Sequence, residues 1–355
     1  MTLSLYIRAA LTPRTFLPIL GSISTGVLLM TMQTISAQAA GSFYNCANAT
    51  GCQKVDSKWW TSSHTDTKYP LVMTHGLVGF TKLLGIDYFY GIPQTLMKGG
   101  SEVYATKTSS FNDSRVRGEQ LLRQVKTISA VSGSPKVNLL GHSHGGHDIR
   151  YVAGVAPQYV ASVTAVASPG QGAALADWVV EQIDNDRING EYNTATKAAL
   201  TLFGFLGDFM DLNAGIPIDE LQDQDGFGAV TALTTDYTKD FNREFSAAMP
   251  TSYCGQPTAI KVNGISYYSF SGVDQVTNVL DPTDYMMLAT SQAYDDPNDG
   301  LVSACSSRLG YVIRDDYKMN HLDSVNQLLG LVAWGQPNPK TVYRTQVNRL
   351  KNANL

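Results

Sequence analysis

The pentapeptide Gly141-His142-Ser143-His144-Gly145 constrains the possible folds of this chain more than any other feature. It follows a short apolar run and precedes a helical pattern, which is the setting of a sharp strand-to-helix turn with a serine at its tip. Glycine is needed at both ends because a side chain there would collide with neighbouring backbone. The pattern predicts an α/β fold with Ser143 as a candidate nucleophile. The alternative is a tight glycine-rich turn without chemistry.

Short apolar runs and helical patterns alternate around this turn. The runs typical of buried parallel strands are residues 69–76, 101–106, 135–140 and 160–167. The helical patterns are residues 91–98, 115–129 and 145–156. This alternation predicts a mostly parallel central sheet flanked by helices on both faces.

Residues 171–250 break the alternation, with helical patterns and no obvious strand. Within them, residues 195–210 are too apolar for a solvated helix, since they contain Leu200, Leu202, Phe203, Phe205, Leu206, Phe209 and Met210. One interpretation is an ordinary core helix. The other, which we favour, is a helical lid insertion that covers the site above the sheet and opens at an interface.

A serine hydroxyl becomes a nucleophile only when a base takes its proton. In α/β-hydrolases the chain order is Ser, then Asp or Glu, then His. Of the histidines after Ser143, His144 and His147 are too close in sequence to reach back, which leaves His321 as the candidate base rather than a surface histidine. Asp299, in an Asp-Gly turn beside an apolar run, is the favoured acid. The sequence alone leaves other acids open, namely Asp281, Asp284, Asp295 and Asp296.

The oxyanion of an ester's tetrahedral intermediate needs backbone N–H donors. The residue after the nucleophile, His144, supplies one of them in this fold. The loop after the first strand supplies the other, and we assign it to the N–H of Leu77.

The first 39 residues are typical of an export signal. Arg8 and Arg14 precede an uncharged apolar run at residues 16–32, and Ala37-Gln38-Ala39 offers a cleavage site. The alternative is a retained membrane anchor. Residues 40–68 are then an N-terminal extension, and residues 69–355 form the main domain. The net charge of −4 and the absence of a Lys/Arg cluster argue against a nucleic-acid partner.

Four cysteines in an exported chain indicate disulfides rather than free thiols. Three pairings are possible, of which we favour Cys46–Cys52 and Cys254–Cys305. A metal site at these cysteines is disfavoured, because no histidine lies beside them at ligand spacing.

Several segments closely resemble the secreted family I triacylglycerol lipases of the Pseudomonas and Burkholderia type. They run from Tyr69 to the C-terminus and are residues 90–93, 116–122, 136–146, 298–302, 305–307, 312–315 and 319–323. The resemblance implies that Asp299 is the acid of a Ser-Asp-His triad, and it supports the Cys254–Cys305 pair. It also implies a lipid–water interface as the site of action and a dedicated membrane-bound foldase as a partner before type II secretion.

The resemblance further implies a structural calcium ion near the catalytic histidine. Its ligands would be the carboxylates of Asp281 and Asp323 and the backbone carbonyls of Gln327 and Leu331. Calcium prefers such hard oxygen ligands. Without calcium, the two aspartates would be a helix cap and a surface charge.

The chain departs from the family pattern in residues 40–68, in residues 167–172 and at His147, which leaves lid behaviour and chain-length preference open. Three functions compete. The first is a lid-bearing lipase acting on long-chain acylglycerols. The second is a carboxylesterase acting on short-chain esters or polyesters, and the third is a non-catalytic binding module. The apolar residues 195–210 favour the first function, and the complete Ser, Asp and His set argues against the third.

Overall fold

The computed structural model describes residues 40–48, 51–59, 61–188, 191–193, 197, 207–212, 216 and 221–355. The predicted signal segment and the apolar residues 198–206 of the predicted lid lie outside the described residues. Among the helices within those ranges, none combines the length and apolar character needed to span a bilayer.

The strands of the described chain are numbered in sequence order. They are β1 (Gly41–Asn48), β2 (Gly51–Lys58), β3 (Leu71–Thr74), β4 (Lys82–Leu83), β5 (Ile86–Asp87), β6 (Glu102–Thr106), β7 (Val137–His142), β8 (Val160–Val166), β9 (Arg187–Ile188), β10 (Glu191–Tyr192), β11 (Lys261–Val262), β12 (Ile265–Gly272) and β13 (Tyr311–Tyr317).

Nine of these strands form one sheet within the described ranges, in the order β11-β12-β8-β7-β3-β6-β1-β2, with β13 also paired to β12. All pairs are parallel except β1 with β2 and β11 with β12. The mostly parallel sheet predicted from the sequence is therefore confirmed. Strands β7 and β8 are buried along their whole length, as expected for strands covered on both faces.

The helices that the structure describes in full are also numbered in sequence order. They are α1 (Ile92–Met97), α2 (Ser114–Ser132), α3 (Gly145–Val155), α4 (Ala174–Asn185), α5 (Gly226–Thr231), α6 (Thr235–Glu244), α7 (Pro282–Thr290) and α8 (Pro339–Asn352).

Alternate residues of the central strands point to opposite faces, and each face has its own core. Val72 of β3 and Leu139 of β7 join the core formed with α2 and α3. Their neighbours Met73 and Leu140 join the core formed with α1 and α8. Helices therefore cover both faces of the sheet, as predicted.

The insertion at residues 171–250 contains α4, α5, α6 and helical residues 207–212 in its described part. It also contains an antiparallel pairing of β9 with β10, whereas the sequence patterns suggested no strand there. The intervening Asn189-Gly190 dipeptide is a strong hairpin signal that the helical interpretation did not take into account.

Residues 40–68 add two strands to the sheet. β1 pairs in parallel with β6, and β2 forms the edge beyond it. Phe43 is fully buried, and the ring of Tyr44 stacks on that of Tyr104 with centroids 4.6 Å apart. The segment is thus an integral part of the sheet and its core.

Both favoured disulfides are present. Cys46–Cys52 joins β1 to β2 across six residues of sequence. Cys254–Cys305 joins the segment that follows the insertion to the loop that carries Asp299, and it closes a separation of 51 residues.

We expect Phe43→Ala to destabilise the protein by about 3–5 kcal/mol, because it empties a buried site between the sheet and α1. Val55→Ala, at a 41% exposed position of β2, should change the free energy of unfolding by no more than about 0.5 kcal/mol. Guanidinium unfolding with the disulfides intact measures both. Equal stability of the two variants would show that the added strands contribute little.

Candidate active site

Ser143 lies at a strained turn between β7 and α3. Its φ is 55°, a left-handed value that costs a non-glycine residue free energy and persists only where packing enforces it. A Cβ at Gly141 would lie 2.2 Å from the carbonyl oxygen of Gly145, and one at Gly145 would lie 2.7 Å from that of His75. The steric reason given for both glycines is therefore confirmed.

His321 and Asp299 come from two loops that meet at the carboxyl end of the sheet. His321 Nδ1 lies 2.8 Å from Asp299 Oδ2, and the backbone N–H of His321 donates to the Asp299 carbonyl at 2.9 Å. The other carboxylate oxygen accepts from the N–H groups of Leu301 and Val302. Because the carboxylate accepts, Nδ1 carries the ring proton and Nε2 is left as the basic nitrogen.

Ser143 and His321 line one cavity of about 750 Å³. The wall is almost entirely apolar. It is formed by the loop after β3, the insertion, α7 and the loops that carry Asp299 and His321. Its apolar members include Leu77, Phe80, Leu83, Ile86, Leu175, Val179, Val230, Leu233, Met286, Leu301, Val325 and Leu328. A reactive serine at the wall of such a cavity suits a substrate with an apolar chain.

The predicted oxyanion residues adjoin the serine. A Cβ at Gly76 would lie only 2.6 Å from the Cβ of Ser143, so the loop containing Leu77 passes directly beside this serine. The backbone N–H groups of Leu77 and His144 donate to no other group in the described part of the chain. Both remain free to donate to an oxygen in the cavity.

Arg117 holds this loop in place through hydrogen bonds to backbone carbonyl groups. The sequence did not indicate this role. The residue is fully buried on α2, and its Nη2 donates to the His75 carbonyl at 2.8 Å and pairs with Asp148 at 2.8 Å. Its Nη1 donates to the carbonyl of Ser109. The segment at residues 116–122 contains this arginine, but only the fold shows what it contacts.

A chain of hydrogen bonds links the oxyanion loop to the histidine loop. The N–H of Gly76 donates to Tyr88 Oη at 3.1 Å, which lies 2.7 Å from His142 Nδ1. His142 Nε2 lies 3.1 Å from the carbonyl oxygen of His321. A carbonyl only accepts, so Nε2 donates and Nδ1 accepts from the tyrosine. Burial lowers the pKa of His142 well below its usual value, which keeps this ring neutral.

A second chain starts at His144. Ser114 Oγ lies 2.8 Å from His144 Nε2 and 3.0 Å from His147 Nδ1, and His147 Nε2 lies 3.0 Å from the Pro169 carbonyl oxygen. Burial lowers the pKa of His147 to about 3, so the ring is neutral and donates to Pro169. His147, a departure from the family pattern, thus joins the nucleophile turn to the start of the insertion.

The two aspartates predicted to bind calcium are both fully buried. Asp281 caps α7 through the N–H of Thr283, and its other oxygen accepts from the N–H of Leu328 at 3.1 Å. Asp323 Oδ1 has no hydrogen-bond partner among the described residues. Burial, with the charges of Asp284 and Asp281, raises the pKa of Asp323 to about 7. Asp323 is therefore no ordinary surface charge.

The predicted carbonyl ligands belong to the loop after His321. The carbonyl groups of Gln327 and Leu331 accept no hydrogen bond within the described part of the chain. No group of three or more His, Cys, Asp or Glu side chains converges as a metal site in those same ranges. A cation here would rely on two carboxylates together with carbonyl oxygens.

Comparisons with known proteins agree with this fold. A sequence model of the family described as alpha/beta hydrolase fold matches residues 69–267. The crystal structure of Staphylococcus hyicus lipase superposes with a TM-score of 0.53 at 18% identity, covering 82% of this chain and 98% of that chain. At that identity, the likeness concerns the fold alone.

Two curated relatives are much closer in sequence. The triacylglycerol lipase of Vibrio cholerae serotype O1 is 47% identical over 292 residues, which cover 82% of this chain and 90% of the relative. The triacylglycerol lipase of Burkholderia plantarii is 38% identical over 81% of this chain and 87% of its own length. The chain therefore belongs to the α/β-hydrolase family and, within it, to the family of bacterial triacylglycerol lipases that its motifs resemble.

Proposed function

We propose that this protein is a triacylglycerol lipase that hydrolyses carboxylic ester bonds of acylglycerols through Ser143, Asp299 and His321. The observation that carries the proposal is the placement of a strained serine and an aspartate-bound histidine on the wall of one apolar cavity. The two triacylglycerol lipases described above support the substrate class.

In the proposed mechanism, His321 Nε2 takes the proton of Ser143 as the serine attacks the ester carbonyl. Asp299 holds the ring with Nδ1 protonated and stabilises the imidazolium that forms. The imidazolium then gives its proton to the leaving alcohol. In the second step, His321 Nε2 takes a proton from water as the water oxygen attacks the acyl carbonyl. The imidazolium then returns the proton to the Ser143 oxygen as the acyl–serine bond breaks and the fatty acid leaves.

Negative charge develops on the carbonyl oxygen in both steps. The free N–H groups of Leu77 and His144 would receive it, and each such donor contributes about 2.7–4 kcal/mol to lowering the barrier. Arg117 and the chain through Tyr88 keep the Leu77 loop in place before substrate arrives. Preplaced donors need no reorganisation at the moment of reaction.

The apolar cavity is the proposed site of the acyl chain, and part of its wall comes from the insertion. Leu175 and Val179 of α4 and Val230 of α5 line it, while Trp178 on the same helix α4 is 55% exposed. These positions support an insertion that acts as a lid at a lipid–water interface. The apolar residues 198–206, which prompted the lid hypothesis, lie outside the described residues.

Export is the second part of the proposal. Residues 1–39 would be removed as a signal peptide, and both disulfides suit an oxidising compartment outside the cytoplasm. We further propose that a lipase-specific foldase assists the chain before secretion, as the family resemblance implies.

A bound calcium ion is the third part of the proposal. Asp281 and Asp323, with the carbonyls of Gln327 and Leu331, form a donor set of hard oxygens that suits Ca²⁺. Asp323 Oδ1 and the two carbonyl groups support this fit, because they lack hydrogen-bond partners among the residues that the structure describes. The ion would cross-link the segments that contain Asp281 and Asp323. Because His321 lies two residues before Asp323, the ion would also hold the loop of the histidine in place.

Replacing the nucleophile tests the mechanism. We expect Ser143→Ala to lower kcat by on the order of 10⁶-fold, and Asp299→Asn to lower it by about 10⁴-fold because the ring loses its correct tautomer. Asp296→Asn, on the same loop, is the matched control and should retain nearly full activity. Turnover of p-nitrophenyl butyrate by Ser143→Ala at the wild-type rate would contradict the mechanism.

A chain-length series tests the substrate class. The apolar cavity predicts that kcat/KM rises from acetyl to octanoyl esters, since each buried CH₂ contributes about 0.8 kcal/mol. We also expect the rate to increase sharply once tributyrin exceeds its solubility. A flat series with simple saturation by soluble esters would favour the carboxylesterase function instead.

Chelation tests the calcium site. With saturating calcium at 100–1,000 times Kd, binding contributes roughly 2.7–4.1 kcal/mol, so EGTA should lower Tm by several degrees. Asp323→Asn should remove this dependence, whereas Asp240→Asn on the exposed face of α6 should keep it. A wild-type Tm unchanged by EGTA would contradict calcium binding.

A further inference from the structure

Lys107 is a buried cation that none of the proposed chemical steps uses. It directly follows β6, and its side chain and that of Asp211 are both fully buried. The ammonium lies 2.5 Å from Asp211 Oδ1, and it donates to the Thr108 carbonyl at 2.7 Å and the Ser110 hydroxyl at 3.2 Å. The ion pair and the two hydrogen bonds offset part of the cost of removing the charge from water.

Asp211 belongs to the helical residues 207–212, so the ion pair joins the insertion to the sheet. Its second oxygen accepts from the N–H of Gln222 and from the side chain of Gln224, both at 3.0 Å. The side chain of Gln222 in turn donates to the backbone carbonyl of Lys107 at 3.1 Å. One carboxylate therefore organises three stretches of chain around the lysine.

The contact continues beyond the ion pair between residues 107–112 and residues 221–225. Ser109 Oγ donates to the carbonyl of Asp223 at 2.8 Å. The N–H of Phe111 donates to Gln224 Oε1 at 2.9 Å, and its carbonyl accepts from the N–H of Asp225 at 2.7 Å. We call the hydrogen bonds between residues 107–112 and residues 221–225 the seam. It fixes the base of the insertion to the loop after β6.

The loop after β6 also forms hydrogen bonds with the segment that contains Leu77. Ser110 Oγ, which accepts from Lys107, donates to the carbonyl of Gly79 at 2.7 Å. The carbonyl of Ser110 accepts the N–H of Val78 at 3.0 Å. These bonds hold the two residues that follow Leu77, whose N–H is a proposed oxyanion donor.

We propose that Lys107 is a positioning residue for the oxyanion hole, because its ion pair with Asp211 fixes Ser110 and, through Ser110, the backbone of Leu77. This inference rests on the proposed ester hydrolysis. An oxyanion donor acts over a short range, and a misplacement of about 1 Å can cost on the order of 10²-fold in rate. The base of the insertion and the catalytic centre are therefore coupled through one buried pair.

The charge of Lys107 depends on its partner. Burial and the nearby Arg117 lower the pKa of Lys107 and the Asp211 carboxylate raises it, so that the net pKa is about 8. Without the carboxylate, burial and Arg117 act unopposed, and the pKa of Lys107 falls further, which favours the neutral lysine. Loss of either partner should therefore give the same defect.

The test compares Lys107→Met, Asp211→Asn and the double variant with the wild type. Steady-state hydrolysis of soluble p-nitrophenyl butyrate gives kcat and KM, and phenylboronic acid, which forms a tetrahedral adduct with the serine, reports on the oxyanion hole. We expect each single variant to lower kcat by about 10- to 100-fold, with KM within about 2-fold of wild type. Boronate inhibition should weaken by a similar factor, and the double variant should resemble either single one.

Controls separate positioning from stability. All rates are measured well below each variant's unfolding temperature. Lys239→Met, which removes an exposed ion pair with Asp236 on α6, should leave kcat and boronate binding unchanged. Lys107→Arg should restore part of the rate because it keeps the charge. If Lys107→Met does not fold, Ser110→Ala keeps the ion pair but cuts the link to Gly79, and it should lower kcat in the same way.

A lower unfolding temperature with kcat and boronate inhibition within about 2-fold of wild type would overturn the inference, since the seam would then be purely structural. Failure of the proposed function gives a different result. In that case the wild type itself would show no ester turnover that depends on Ser143.

Discussion

The approach of backbone to backbone around Ser143 is the constraint on which the rest of the structure depends. Gly141 and Gly145 leave no room for a Cβ, and Thr74 of β3 is the register partner of Gly141 in β7. The left-handed φ of the serine can therefore exist only when β3, β7 and α3 are packed together. Packing of the sheet against α3 therefore stabilises a backbone conformation that the serine would not adopt alone.

Neutral histidine side chains make many of the buried hydrogen bonds beneath this turn. His75, His142 and His144 are buried, and burial lowers the pKa of each well below its usual value. A neutral imidazole offers one donor and one acceptor, so each ring fixes the direction of the hydrogen bonds on either side of it. The loops that carry Leu77 and His321 are thereby joined without placing a further positive charge next to the base.

The sequence predicts those features that follow from local pattern. The turn at Ser143, the first strands and helices, and His321 by elimination depend on spacing and chain order alone. Asp299 could not be separated from four other aspartates without the family resemblance, because the decisive contact joins residues 22 apart in sequence. β12 and β13 lie beyond the clear alternation, and β1 gave no periodic signal although it pairs with β6. Arg117 was missed because its role lies in bonds to distant carbonyl groups.

The cavity also has a consequence for folding kinetics. Its wall joins residues as distant as Leu77 and Leu328, and the parallel pairing of β8 with β12 joins segments about one hundred residues apart. Contacts of such long range form slowly, because the chain entropy of closing large loops is lost before the contacts offset it. Until these contacts form, the apolar side chains that line the cavity in the folded protein are exposed to water. They can then associate with those of other molecules. The apolar cavity thus makes the incompletely folded chain prone to aggregation.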